Sequence, residues 1–208
     1  MVLTRKQAEI RATILDQLYA KRPISRIDIA KETHITPATT GTIINELIKD
    51  GLVQELGELN AESVGRKKTL LDIAPQQRFY LGFEISEKYL ALVIADNVGE
   101  IFASEWHPHH LENQEGPSDI ELIQLISHFL EKHKDIRISA IGIGLPGHVK
   151  LEETQEIISN NPLWKNINLK FIQDSFDVPV YLGNKSHCLT LAERLFTYHP
   201  TNSNLSFT

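Results

Sequence analysis

The sequence predicts an α/β protein preceded by a small α+β domain, and three observations predict it. Three helix-like segments and a glycine-marked hairpin occupy the first 73 residues. A polar break, Ala74-Pro75-Gln76-Gln77, follows. Beyond it come consecutive strand-like runs and then alternating helix and strand, the order of a sheet with crossover helices.

In the first part, Thr4 to Ala20 repeats apolar residues near the helical period (Ala8, Ile14, Leu15, Leu18, with Ile10 and Arg11 between them), and Lys21-Arg22-Pro23 ends the run. Ser25 is placed to cap a second helix, Arg26 to Glu32. Asp28 comes three residues after the cap, and Ile27, Ile29 and Ala30 are expected inward. After a short turn, Thr33-His34-Ile35, Thr36 supplies an N-cap and Pro37 the first helical position. The third helix should run to about Asp50, with Gly41, Ile44, Leu47 and Ile48 inward and Gly51 as its stop. Leu52 to Leu56 and Thr69 to Ile73, separated by a polar loop and by Gly65-Arg66-Lys67-Lys68, read as a β-hairpin. Helix, helix, turn, helix, hairpin is the order of a winged helix-turn-helix, here assigned to residues 1–73.

In the second part, assigned to residues 78–208, Phe79 to Ile85, Tyr89 to Asp96 and Glu100 to Glu105 read as strands, with Asn97-Val98-Gly99 as a turn. Ile120 to Lys132 is expected to be a helix with Leu122, Leu125, Ile126, Phe129 and Leu130 inward. Ile138 to Leu145 is nearly all apolar, as for a strand covered on both faces. A helix at Leu169 to Ser175, a strand at Val178 to Leu182 and a helix at Ser186 to Phe196 complete the pattern.

Composition narrows the function classes. Apolar content of 41% and charge content of 23% are those of a globular domain, and apolar runs such as Ile141 to Pro146 are too short to cross a bilayer. The lone Cys188 excludes a disulfide within the chain and a cysteine-rich zinc site, which fits a reducing, cytoplasmic setting. His107, His109 and His110 share one loop with no second cluster, so no metal site is expected. The net charge of −6 is unevenly spread: residues 1–72 hold 11 Lys/Arg against 10 Asp/Glu, and the remainder 10 against 17. A nearly neutral head must therefore hold a polyanion through a few placed cations and helix N-termini, not through a broad positive field.

Those placed groups are present. In a helix-turn-helix the third helix enters the major groove, where threonine offers a hydroxyl and a methyl, and asparagine can pair bidentately with adenine. Thr36, Pro37, Thr39, Thr40, Thr42, Ile43 and Asn45 are the expected groove-facing set. Arg66, Lys67 and Lys68 at the tip of the hairpin supply phosphate or minor-groove contacts. The implied partner is double-stranded DNA, and operator geometry implies a homodimer.

Several stretches carry a family resemblance: Ile24-Ser25-Arg26-Ile27-Asp28-Ile29-Ala30, Thr36-Pro37-Ala38-Thr39-Thr40, Leu47-Ile48-Lys49-Asp50-Gly51-Leu52-Val53 and Gly65-Arg66-Lys67-Lys68. Together they resemble regulators of the ROK family (repressors, open reading frames and sugar kinases), and the resemblance continues to the last residue. It implies that the second part is similar to the first lobe of an actin-like, hexokinase-like (ribonuclease H-like) ATPase fold. It also implies a sugar or sugar-phosphate effector that alters DNA binding. The family's zinc motif and remaining sugar contacts would lie beyond Thr208, whether the chain is a piece of a longer protein or a shortened one. The strand-like Asn204-Leu205-Ser206-Phe207-Thr208 would begin that remainder.

Two departures bear on catalysis. Where the family's kinases cradle phosphate with an acidic residue, two glycines and a threonine, this chain has Glu84-Ile85-Ser86-Glu87-Lys88. Where the resemblance places an aspartate base after an asparagine, it has Lys185 after Asn184 in Gly183-Asn184-Lys185-Ser186-His187. A protonated lysine cannot take a proton from a sugar hydroxyl. A regulator, expected to be a sugar-responsive repressor without catalysis or a cofactor, is therefore the leading reading. A ROK-type carbohydrate kinase and a winged-helix protein-interaction module are the alternatives. The resemblance marks Gly147, in Gly144-Leu145-Pro146-Gly147, together with Asn160, Asn184 and Lys185 as residues toward a sugar.

Overall fold

Thr4 starts the first helix, α1 (Arg5–Lys21), through a capping box: its hydroxyl accepts the Gln7 amide while the Gln7 side chain reaches back to the Thr4 backbone. The structure is a computed structural model and describes residues 4–59, 68–86, 88–108, 117–146, 150–151, 157–158 and 168–196. Two compact units result, one of Met1–Gln77 with Ala192–Thr208, the other Arg78–Leu191.

In the first unit, α1 buries Ile14 and Leu18, while Ala8 stays at the surface. A two-residue strand, β1 (Ile24–Ser25), precedes α2 (Arg26–Thr33), which is capped by the Ser25 hydroxyl. Ile29 and Ala30 of α2 are buried, but Ile27, expected inward, is 58% exposed. At 100° per residue Ile27 lies about 200° from Ile29, so one narrow inward stripe cannot hold both. His34 closes α2 in the left-handed region, at φ 57°.

The third helix, α3 (Pro37–Lys49), begins at the Thr36 cap and ends in a Schellman motif. Gly51 adopts φ +74°, its amide donates to the Ile48 carbonyl, and the Leu52 amide donates to Leu47. Only glycine takes that turn without a Cβ penalty. The buried residues of α3 are Thr40, Ile43, Ile44 and Leu47, an i, i+3, i+4, i+7 stripe. This corrects the expected facing of Thr40 and Ile43, which point inward, and of Gly41, beside which an added Cβ would meet nothing within 4 Å.

Strands β2 (Val53–Leu59) and β3 (Lys68–Ile73) pair antiparallel, and β1 joins the far side of β3 as a strand that the sequence pattern did not reveal. A bulge between Glu55 and Gly57 leaves Leu56 without an opposing residue. Residues 60–67, including Arg66 and Lys67, lie outside the described part.

The second unit holds a five-stranded mixed sheet. β4 (Phe79–Ile85), β5 (Tyr89–Asp96) and β6 (Ile101–Pro108) form an antiparallel meander. α4 (Asp119–Lys132) leads into β7 (Ile138–Leu145), which lies parallel to β4. The short pair β8 (Lys150–Leu151) and β9 (Ile157–Ile158), α5 (Leu169–Asp174), β10 (Val180–Asn184) and α6 (Lys185–Phe196) follow. The sheet order is β10-β7-β4-β5-β6.

Alternation decides which sheet face is core. Leu81, Phe83, Ile85, Leu90, Leu92, Ile94, Ile141, Ile143 and Leu145 point one way and pack with Leu122, Ile126 and Phe129 of α4 and Ile172 of α5. The opposite face was expected to be covered as well, because β7 is apolar throughout. On that face an added Cβ at Gly142 would meet nothing within 4 Å. At Gly144 it would lie 3.9 Å from Lys185 Cα and at Gly183 of β10 2.8 Å from Cys188 Sγ, so among the described residues α6 covers the face only at the carboxyl ends of β7 and β10. Among the described residues no helix is long and apolar enough to cross a membrane.

Candidate functional site

Once its inward stripe is buried, α3 leaves Ala38, Thr42, Asn45, Glu46 and Lys49 exposed, with the half-buried Gly41 between them. Of the expected groove-facing residues, Thr36, Pro37, Thr42 and Asn45 are exposed, and Thr39 is half-buried. The Thr36 hydroxyl accepts the Thr39 amide at 3.3 Å and lies 2.9 Å from the Thr39 hydroxyl, so the two hydroxyls organise the helix start together. The Thr42 hydroxyl donates to the Ala38 carbonyl. Thr40 does not belong to this face. Its side chain is buried, and its hydroxyl has no hydrogen-bond partner among the described residues.

The far end of α3 is anchored by Arg11 of α1, whose guanidinium lies 2.6 Å from Asp50 and 3.8 Å from Glu46. On the wing, the Lys68 ammonium donates to both carboxylate oxygens of Asp28, at 3.0 and 3.2 Å. The Ser25 hydroxyl first, and Lys68 second, hold the Asp28 carboxyl below its ordinary range. One of the three expected wing cations is thus engaged with α2, and the other two lie outside the described residues.

A second cluster forms at the carboxyl ends of β4 and β10. Lys185 Nζ lies 2.5 Å from Glu84 Oε1, and the Tyr89 hydroxyl donates to the same oxygen at 2.8 Å. The hydrogen bond that Lys185 donates to Glu84 raises the Lys185 pKa above its usual value, so the ammonium stays charged. Asn184 caps α6: its Oδ1 accepts the amides of Ser186 and His187. At the β4–β5 turn the Ser86 hydroxyl accepts the amides of Lys88 and Tyr89. Gly147 and Asn160 lie outside the described residues. Glu84 and Tyr89 were not singled out from sequence as partners of Lys185. A lysine standing in place of a carboxylate needs a counter-charge, and that need was the available signal. Among the described residues no group of three or more His, Cys, Asp or Glu side chains is placed to hold a metal ion.

Comparison with known proteins sorts these features. The family pattern described as "ROK family" matches residues 80–207, well over half of the chain. The chain belongs to the ROK family. A pattern described as "Winged helix-turn-helix DNA-binding" matches residues 8–54 of this ROK chain. The xylose repressor of Bacillus spizizenii is 28% identical over 196 residues, covering 93% of this chain and 50% of that protein. The DNA-binding transcriptional repressor Mlc of Escherichia coli is 28% identical over 193 residues, covering 88% of this chain and 45% of that protein. A crystal structure of a ROK family transcriptional regulator, described as a homolog of E. coli Mlc, superposes with a TM-score of 0.63 at 24% identity. That match covers 93% of this chain and 49% of the other, and it supports the fold: a winged helix-turn-helix followed by a ROK lobe. The chain spans about half the length of the curated relatives it matches.

Proposed function

We propose that this ROK chain is the DNA-binding and first ligand-binding part of a sugar-responsive transcriptional repressor, acting without catalysis or a cofactor. The observation that carries the reading is the open face of α3, where Thr42 and Asn45 stand exposed behind the Thr36 cap. An exposed helix face with a polar start, presented beside a β-hairpin, is the geometry that lies in a major groove. Asn45 reads adenine, Thr42 contacts a thymine methyl or phosphate, and Thr36, Pro37 and Thr39 bring the helix start to the backbone. Arg66, Lys67 and Lys68 add phosphate contacts from the wing. The relatives' names, xylose repressor and transcriptional repressor Mlc, support repression and an aldose effector. Gly147, Asn160, Asn184 and Lys185 are the proposed residues toward that sugar. A homodimer in a reducing cytoplasm completes the reading, because paired half-sites demand two heads at fixed spacing.

The kinase alternative meets a specific obstacle. A charged Lys185, paired with Glu84, stands where the resemblance places the aspartate base, and the turn amides nearby already donate to Ser86. The test is selection of bound sequences from a random duplex pool, with and without a panel of sugars, alongside an assay of sugar-dependent ATP turnover. The reading expects a two-fold symmetric site, binding that weakens steeply with salt, and no turnover. Protein that ignores duplex DNA even in dilute buffer, or that phosphorylates a sugar, overturns it.

A further inference from the structure

The outward side of α3 is built almost entirely of short side chains. At about 100° per residue, Ala38, Thr42, Asn45 and Lys49 fall within an arc of about 60°, opposite the buried Thr40, Ile43, Ile44 and Leu47. Gly41 stands on one shoulder of that arc, beside Ala38 and Asn45, and Glu46 on the other. Glu46 lies 3.8 Å from the Arg11 guanidinium. The helix contains no arginine, and its one lysine is Lys49, in the last turn. No long donor therefore reaches outward from the first two turns, and the shoulder at Gly41 carries no side chain at all.

Nothing in the chain asks for glycine there. Gly51 and Gly57 hold positive φ values, whereas Gly41 sits in ordinary helical backbone. An added Cβ at Gly41 would meet nothing within 4 Å, so packing among the described residues does not exclude a side chain. Glycine inside a helix is less favourable than alanine, because its freer backbone loses more on ordering. A residue that weakens the helix and serves neither its geometry nor its packing leaves room for a close approach from outside.

In a major groove the approaching surface is a base edge. Short side chains have little reach, so the helix must sit deep, and at Ala38 and Gly41 it presents only C–H groups. Polar edges of guanine, adenine or cytosine pressed against them would give up water without replacement. The C5-methyl of thymine is the major-groove group that needs no hydrogen bond. Asn45 follows Gly41 by one turn, about 6 Å along the axis, where its amide faces a neighbouring base pair.

We infer that Ala38 and Gly41 form a saddle that receives a thymine methyl group, with Gly41 as a specificity-determining residue of the duplex site. This rests on the reading of the chain as a DNA-binding regulator and adds to it two residues and the base group they read.

The test uses the full chain and the duplex recovered by selection from a random pool. Wild type, Gly41→Ala and Gly41→Leu are compared by thermal unfolding and by titration of the selected duplex and a scrambled one. Both variants should unfold at the wild-type temperature or a few degrees above it, since the helix gains by losing glycine. Gly41→Ala should bind the selected duplex about fivefold more weakly, and Gly41→Leu about thirtyfold, with affinity for the scrambled duplex unchanged. Uracil in place of thymine, one position at a time, removes single methyl groups. One such change in each half-site should cost the wild type about fivefold, and that cost should vanish in Gly41→Leu. The inference is overturned if the wild type is indifferent to uracil at every position, or if Gly41→Leu weakens both duplexes alike. Unfolding of both variants well below the wild type would assign Gly41 to packing and overturn it too. Wild type that binds no duplex removes the regulator reading and this inference with it. Wild type that binds the selected duplex, with Gly41→Leu binding it equally, removes this inference alone.

Discussion

Arg11 and Asp50 are joined by a 2.6 Å ion pair that fastens the middle of α1 to the last turn of α3. The Arg11 side chain is only 17% exposed, whereas Asp50 is about half in water. The pair therefore contributes modestly, on the order of 1 kcal/mol. Arg11→Gln should lower the unfolding temperature by a few degrees and weaken duplex binding without altering the preferred sequence, because the helix is less firmly held while its reading face is intact. Asp50→Asn should have the same sign. A double-mutant cycle by thermal denaturation checks the coupling, and strict additivity refutes it.

Thr40 offers a stabilising substitution. Its buried hydroxyl has no partner among the described residues, and an unmet buried polar group costs about 1–3 kcal/mol. Thr40→Val keeps the shape and removes that group, so stability should rise by about 1 kcal/mol while sequence preference stays the same. Denaturant melts measure the first and duplex selection the second. A stability loss would mean that the hydroxyl does find a partner.

In the proposed complex with duplex DNA, the Asp28 carboxylate and a backbone phosphate would compete for Lys68. Asp28→Asn removes the carboxylate charge that Lys68 now faces at 3.0 Å, freeing the ammonium for a phosphate. Duplex affinity should rise for all sequences, and the slope of log affinity against log salt should steepen by about one unit. An unchanged slope would show that Lys68 does not reach the backbone.

Acid should destabilise the fold in a defined window. Asp28, Glu105 and Glu121 all have lowered pKa values. For Asp28 the leading cause is the Ser25 hydroxyl, for Glu105 the hydrogen bond from Lys132, and for Glu121 the Ser118 backbone amide of the α4 capping box. A depressed carboxylate contributes stability above its unfolded value and loses it as pH falls through the folded one, so the loss begins below about pH 4. Chemical melts between neutral pH and pH 3 follow it. Replacing Glu121 by Gln should flatten part of the decline, and an unaltered profile would remove the cap from the explanation.

Helix and strand identity was largely legible because periodicity survives wherever a segment packs on one side only. Phe79–Ile85, Tyr89–Asp96 and Ile138–Leu145 lie where alternation and apolar runs place them. Facing was harder to read. On α3 the sequence offers threonine and isoleucine at neighbouring positions, and the packing partner, not the propensity, decides that Thr40 and Ile43 turn inward. The two-residue β1 is too short for any pattern to announce. On α3, the exposure of Asn45 and Thr42 was legible because both lie off the apolar stripe. The pairing of Lys185 with Glu84 was not, since 101 positions separate them and only the parallel strand register brings them together.

The irregularity at Leu56 has a consequence for the inheritance of the wing. Side chains alternate along a strand, and the bulge absorbs the single supernumerary residue there without turning the distal part of β2 over. A deletion of that one codon would leave Glu55 opposite Leu71 and Gly57 opposite Leu70, on the faces they already occupy, and would only smooth the kink. Among variants of this head, loss of Leu56 should therefore prove about as forgiving as a change of its chemistry, whereas a second added residue beside it would turn the outer half of the strand over.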